Sequence, residues 1–140
     1  MCEDYPDAGA HCLSLRQHPL DWIRWLEAAL DAARRLKHRN TEGVHLGNLG
    51  TAYRALGQVE RAIEFHEQAL VIAREIGDRR GEAICSWNLG LLCEESDPAR
   101  AAELMQVCID YEREIGHPDA EVDAQRVHAI RARLVNSDNP

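Results

Sequence analysis

The chain has 140 residues, which is enough for one domain of ordinary size. It is rich in Leu, Ala and Glu, and its β-branched residues are scattered singly, so we expect helices throughout. Sixteen Lys and Arg against 24 Asp and Glu leave a formal net charge of −8. Such a chain repels phosphate backbones and anionic membrane surfaces, which disfavours nucleic acid and membranes as partners.

The cysteines and the apolar content predict a cellular compartment. The five cysteines are odd in number and show no paired spacing of the kind used in redox or zinc motifs, so we expect free thiols. No apolar run approaches the roughly 18 to 20 residues that span a bilayer. The first residues, Met1 to Asp4, lack the basic and apolar regions of a signal peptide. We therefore expect a cytoplasmic protein.

Six helices are predicted in chain order. Residues 1–18 are expected to form an irregular lead-in because Pro6 and Gly9 interrupt any helical period. Pro19 suits the first position of a helix, and Gly57 suits a helix end. Residues 136–140 are polar and are expected to form a disordered tail. The predicted helices span residues 19–38, 41–56, 59–76, 79–94, 98–115 and 118–134.

A repeat with a period of about forty residues organises these helices. Asn48-Leu49-Gly50 returns as Asn88-Leu89-Gly90, and Ile76-Gly77-Asp78 recurs as Ile115-Gly116-His117. The turn after Leu56 is short, so the helices on either side of it must be antiparallel neighbours. The chain is therefore a tandem array of helix pairs, with two whole units and a single helix at each end.

Small and large packing residues recur at matching positions of the two units. They are Leu49, Gly50, Tyr53, Gly57, Ala62 and Ala69 in the first unit and Leu89, Gly90, Cys93, Ala101 and Cys108 in the second. This pattern resembles the tetratricopeptide repeat, although the usual unit is about 34 residues long. It is similar to the long-unit subclass found in Leu-Gly-Asn repeat adaptors, kinesin light chains and the arms of bacterial NB-ARC/STAND signalling regulators. The resemblance implies an all-α, right-handed α-solenoid of six helices over residues 19–135.

The resemblance also implies a binding groove. In tetratricopeptide domains the first helix of each pair lines the concave face, and the asparagine before the Leu-Gly pair typically contacts the ligand. Asn48 and Asn88 match that position. An amide donates and accepts at once, so such a ladder can hold the main chain of an extended peptide. The alternative is that each amide links adjacent helices.

Five further residues are candidates for the same groove. Thr51 lies on the same helical stripe as Asn48. Arg54 and Arg126 could hold acidic side chains of a ligand, or they could simply be solvated. Trp87 and Leu91 could supply an apolar anchor, or they could bury against a neighbouring helix. The predicted function is a protein- or peptide-binding scaffold or adaptor, placed in bacterial signalling by the family resemblance.

Motifs for catalysis and for metal binding are incomplete. His66-Glu67 resembles the start of the zinc-protease motif, but Leu70 stands where the second histidine is required. Four residues near the N-terminus could ligate zinc but match no common spacing. They are Cys2, His11, Cys12 and His18. We expect no enzymatic activity, no metal and no cofactor.

The alternative function is self-association. A truncated array exposes the apolar faces of its end helices, which could stack on copies of the same chain. Trp22 and Trp25 are the candidates at one end, and Val127, Ile130 and Leu134 at the other. This hypothesis predicts a homo-oligomer formed through the terminal helices.

Overall fold

A computed structural model describes residues 19–139 of the chain. Within this range it contains six α-helices and no strand, which confirms the predicted all-α fold. The helices are α1 (Pro19–Arg35), α2 (Arg39–Ala55), α3 (Val59–Ile76), α4 (Arg79–Cys93), α5 (Pro98–Ile115) and α6 (Ala120–Ser137). The predicted lead-in, residues 1–18, lies outside the described residues. So do the four possible zinc ligands, which are Cys2, His11, Cys12 and His18.

The helices form a solenoid of neighbours. Each helix packs mainly against the one before it and the one after it, and the packing is closest between α2 and α3 and between α4 and α5. The connections within these pairs, residues 56–58 and 94–97, are short enough to require antiparallel neighbours. Packing that is mainly between adjacent elements is typical of repeat proteins. The two closest pairs are the two whole units of the repeat.

The boundary between α1 and α2 differs from the prediction. α1 ends at Arg35 rather than at residue 38, and α2 begins at Arg39 rather than at residue 41. The reason is Lys37, which adopts a left-handed backbone with φ of 57°. Gly77 and Gly116 adopt the same conformation at the ends of α3 and α5, with φ of 70° and 69°. A lysine thus stops α1 where the other units use glycine.

The bounds of α6 also differ from the prediction. It begins at Ala120 rather than at residue 118, because the backbone N–H of Asp119 donates to Nδ1 of His117 at 3.2 Å and holds a turn before the helix. It ends at Ser137 rather than at residue 134. The Ser137 hydroxyl donates to the carbonyl oxygen of Arg133 at 2.9 Å. The helix therefore includes the first residues of the predicted disordered tail.

Two clusters of buried side chains form the core. The first joins α1, α2, α3 and α4, and its fully buried members include Leu26, Leu49 and Leu89. The second joins α5 and α6 around Met105 and Ile109. The Leu of each repeated Asn-Leu-Gly string therefore lies in the first cluster.

The Gly of each string allows close contact with the second helix of its pair. A Cβ atom placed on Gly50 would lie 2.6 Å from Cδ2 and Nε2 of His66. A Cβ atom placed on Gly90 would lie 2.6 Å from Cγ of Met105. Both distances are shorter than carbon atoms tolerate, so a larger residue at either position would force a neighbouring group to move.

An ion pair recurs at each junction between units. It joins an arginine in the last turn of one helix to a glutamate in the first turn of the next. The pairs are Arg34–Glu42 at 3.2 Å, Arg74–Glu82 at 3.3 Å and Arg113–Glu121 at 3.2 Å. Glu42 also contacts Arg39 at 3.0 Å. These repeated pairs tie successive units together.

The prediction that Val127 and Ile130 form an exposed apolar face at the C-terminal end is wrong. Val127 and Ile130 are fully buried in the second core cluster, because α6 turns its apolar stripe onto α5. Leu134 is half-buried. At the other end, Trp22 is half-buried and packs against the first cluster, whereas Trp25 is 54% exposed. Of these five residues, only Trp25 presents a large exposed apolar surface.

Candidate binding groove

An open groove of about 550 Å³ lies between α2 and α4. α3 forms its floor, because α3 is the helix that packs against both of them. Trp22 of α1 also lines the groove. Most of the other lining residues are small or aliphatic, with a few polar side chains among them. They include Asn40, Val44, Gly47, Asn48 and Thr51 of α2, His66, Ala69, Ile72 and Ile76 of α3, and Arg80, Ile84, Cys85 and Asn88 of α4.

Both predicted asparagines line this groove. Asn48 lies on α2 and Asn88 on α4, and each is half-buried. Within residues 19–139, neither side chain donates or accepts a hydrogen bond with another protein group. The alternative that these amides link adjacent helices therefore has no hydrogen bond to support it. Both amides keep their hydrogen-bonding capacity for a group that enters the groove.

Thr51 lines the groove beside them and is exposed. Its hydroxyl donates to the carbonyl oxygen of Gly47, one turn earlier, at 3.2 Å. The hydroxyl oxygen still has the capacity to accept a hydrogen bond. Thr51 can therefore contribute an acceptor to the groove.

The remaining candidates lie elsewhere. Trp87 and Leu91 pack against the second core cluster. The structure therefore supports the alternative that these two residues bury against a neighbouring helix. Arg126 donates to Oε2 of Glu94 at 2.8 Å and so ties α6 to the residue that follows α4. Arg54 is exposed and does not line the groove. The structure brings Asn48, Thr51 and Asn88 together and leaves the other four outside.

An apolar layer of the groove did not figure among the predicted site residues. Val44 of α2 and Ile84 of α4 stand forty positions apart, and both line the groove. Ile72 and Ile76 of α3 lie between them on the floor. The forty-residue period contains the signal, because Val44 and Ile84 each precede a predicted asparagine by one helical turn. These side chains can contact apolar parts of a ligand.

The floor of the groove also carries a buried imidazole. His66 is only 1% exposed, and its Nδ1 has no hydrogen-bond partner among the described residues. Burial lowers the pKa of His66 to about 4, and the positive charge of Arg54 acts in the same direction. The imidazole is therefore neutral at pH 7.

The cysteines of the described helices are reduced. Cys85, Cys93 and Cys108 are free and buried. Burial raises the pKa of Cys85 to about 11 and that of Cys108 to about 12, so both thiols are weak nucleophiles at neutral pH. Within residues 19–139 no group of three or more His, Cys, Asp or Glu side chains is placed to hold a metal ion. Nor is any helix in that range both long enough and apolar enough to cross a membrane.

Comparison with known proteins agrees with this architecture. The family model for the tetratricopeptide repeat matches residues 41–114. The human protein G-protein-signaling modulator 1 is 55% identical over 42 residues, which are 30% of this chain and 6% of that protein. Its mouse counterpart is 54% identical over 41 residues, which are 29% of this chain and again 6% of that protein. The chain thus matches only a small part of these relatives.

Tetratricopeptide repeats generally mediate protein–protein interaction and act as non-catalytic scaffolds. The family match covers more than half of the chain, and it includes both whole helix pairs almost completely. The chain belongs to the tetratricopeptide repeat family.

Proposed function

We propose that this chain is a scaffold or adaptor that holds an extended peptide of a partner protein in the groove between α2 and α4, and that it catalyses no reaction. The observation that carries the proposal is the state of Asn48 and Asn88. Both amides line one groove, and both are half-buried. Neither makes a hydrogen bond with another group of the described residues. Each can donate to a peptide carbonyl and accept from a peptide N–H.

The surrounding residues suit this role. Val44 and Ile84 offer apolar contacts one helical turn before the two amides, and Ile72 of α3 offers another on the floor. Their helices are held by the packing of α3 against both neighbours, so the ligand meets a surface that is already arranged. A preorganised site saves the entropy that ordering a flexible one costs on binding.

The proposed setting is signalling. The matched relatives are named as modulators of G-protein signalling, although the chain covers only a small part of them. They are mammalian proteins, so the bacterial setting and the long-unit subclass rest on the sequence resemblance. The free thiols fit a reducing compartment, and we propose the cytoplasm. The net charge of −8 favours a protein partner over nucleic acid.

The test begins with a ligand selected for the purpose. A library of random 12-residue peptides displayed on phage is panned against the full chain, and the best peptide is labelled for fluorescence anisotropy. Replacing both asparagines, Asn48→Ala with Asn88→Ala, is expected to weaken binding about thirtyfold, because two hydrogen-bonding side chains are lost. The thermal unfolding midpoint should stay nearly unchanged. Asn136→Ala, on the exposed side of α6, is the matched control and should bind as the wild type does.

Two results would refute this proposal. Unchanged affinity of the double variant would place the peptide elsewhere on the chain. Loss of the folded state in the double variant would show that the asparagines are structural.

A second candidate function is self-association through α1. Trp25 and Leu20 are exposed on this helix, whereas Val127 and Ile130 of α6 are buried. If α1 of one copy packs against α1 of another, the result is a closed dimer rather than an open stack. Light scattering over a range of concentrations tests this candidate. It predicts dimers that Trp25→Glu converts to monomers, and a strictly monomeric wild-type chain would eliminate it.

A further inference from the structure

We propose that His66 forms a specificity site on the floor of the groove, where it takes an uncharged hydroxyl or carboxamide side chain of the bound peptide. This inference rests on the proposed function, since it requires a peptide in the same groove. It goes further by naming the chemistry of one ligand side chain. The evidence comes from the burial of His66, the space beside it and the charge around it.

The first observation is that the packing of α3 against α2 does not require a polar side chain at the position of His66. It is 1% exposed, yet its Nδ1 has no partner within residues 19–139. Buried polar atoms without a partner are rare in folded proteins, because they lose hydrogen bonds to water and gain none. In the second unit, Met105 packs against Gly90 as His66 packs against Gly50. An apolar side chain therefore suffices for this packing position.

The second observation is that the groove is open beside the imidazole. His66 lines the groove together with Gly47, Thr51 and Ala69. A Cβ atom placed on Gly47 would meet nothing within 4 Å. Small residues on both α2 and α3 therefore leave room for a ligand side chain to approach the floor. Asn48 lies next to Gly47, so a peptide held by its main chain would pass over this space.

The third observation concerns charge. Burial and the positive charge of Arg54 both lower the pKa of His66, which keeps the imidazole neutral at pH 7. A cationic side chain would be repelled by Arg54 and would lose its hydration on entering. A carboxylate would be attracted by Arg54, but it would lose its hydration on entering and would find only one N–H donor on the neutral imidazole. A hydroxyl or a carboxamide can donate and accept, so it pairs with His66 in either tautomer.

The test compares two selections from the same phage library of random 12-residue peptides. One uses the wild-type chain and the other uses His66→Met, which places the side chain of the equivalent Met105 at this position. The wild-type selection is expected to enrich Ser, Thr, Asn or Gln at one peptide position, and the His66→Met selection an aliphatic residue there. Replacing that peptide residue with Ala should weaken binding to the wild type about tenfold and leave His66→Met unaffected.

A second measurement needs no variant. In the wild-type chain, the imidazole nitrogen signals of His66 in NMR spectra should shift when the selected peptide is added. Unchanged His66 signals on saturation would overturn the inference, even where His66→Met fails to fold.

The outcomes separate this inference from the proposed function. Equal preferences in the two selections, or an acidic residue at the enriched position, would overturn the specificity site. If Asn48→Ala with Asn88→Ala still weakens binding in that case, the peptide groove stands and only the role of His66 falls. Failure to enrich any peptide with either chain would overturn both.

Discussion

The close contact between Gly50 and His66 leads to a quantitative prediction for Gly50→Ala. The added Cβ would lie 2.6 Å from two ring atoms of His66 and 2.8 Å from a third. The ring is buried and cannot swing into solvent, so α2 and α3 must separate slightly. Overpacking of this kind costs about 1–3 kcal/mol. Replacing glycine with alanine in a helix returns up to about 1 kcal/mol, so a net loss of stability is expected.

Gly47→Ala is the matched control. Gly47 lies one turn earlier on α2, and an added Cβ there meets nothing within 4 Å. This variant should therefore gain up to about 1 kcal/mol from helix propensity alone. The difference between the two variants cancels the propensity and isolates the contact with His66, which should cost about 1–3 kcal/mol.

Urea unfolding followed by circular dichroism measures both variants. A further check is Gly50→Ala combined with His66→Ala. The smaller side chain leaves room for the Cβ, so Gly50→Ala should no longer destabilise the chain in that background. Equal stability of Gly50→Ala and Gly47→Ala would refute the close contact that we infer between α2 and α3.

Three further predictions concern charge. The pKa of His66 falls from 6.5 to about 4 on folding, so the unfolded chain binds more protons than the folded chain between these pH values. The free energy of unfolding should therefore drop by up to about 3 kcal/mol as the pH falls through this window. Urea unfolding between pH 7 and pH 4 should show this drop in the wild type, and His66→Met should lack it. Burial raises the pKa of Glu42, but its hydrogen bonds with Arg39 and Arg34 outweigh this and lower the pKa overall. Glu42→Gln should therefore lower the free energy of unfolding by about 1–2 kcal/mol at pH 7. Glu121→Gln at the equivalent junction should lower it less, because the Glu121 side chain is 75% exposed against 10% for Glu42. Equal losses of stability in thermal unfolding would contradict the importance of burial. Burial and the neighbouring Asp123 raise the pKa of Glu112. The carboxylate of Glu112 therefore destabilises the fold once the pH rises through that pKa. Glu112→Gln should raise the thermal unfolding midpoint at pH 7 but not at pH 4.

The helices were predictable because local signals agree with the packing. α3 and α5 have the predicted bounds, since each is followed by a glycine in the left-handed conformation. Lys37 performs the same role after α1, but nothing in a lysine side chain indicates a positive φ. Pro118 marked a plausible helix start, yet the bond from Asp119 to His117 delays α6. The errors thus lie where a tertiary or backbone preference overrides the residue type.

The candidate site was predictable only where the repeat carries it. Asn48 and Asn88 occupy the same position in two units, so the period places them on the facing helices α2 and α4. Arg126 could not be excluded from the groove in this way, because its partner Glu94 lies just after α4 and follows no sequence period. Trp87 and Leu91 stand forty positions after Gly47 and Thr51, but they pack against the core cluster that α5 and α6 form. Neighbours in space, rather than residue types, decide these positions.

The most direct test of the peptide groove uses the side-chain amide signals of Asn48 and Asn88 in NMR spectra of the full chain. The signals are assigned from the single Asn→Ala variants and followed while the phage-selected peptide is added. Our account predicts that both amide signals shift together and saturate at the same peptide concentration. It would be contradicted if these two signals stayed in place at saturation while signals from residues outside the groove shifted.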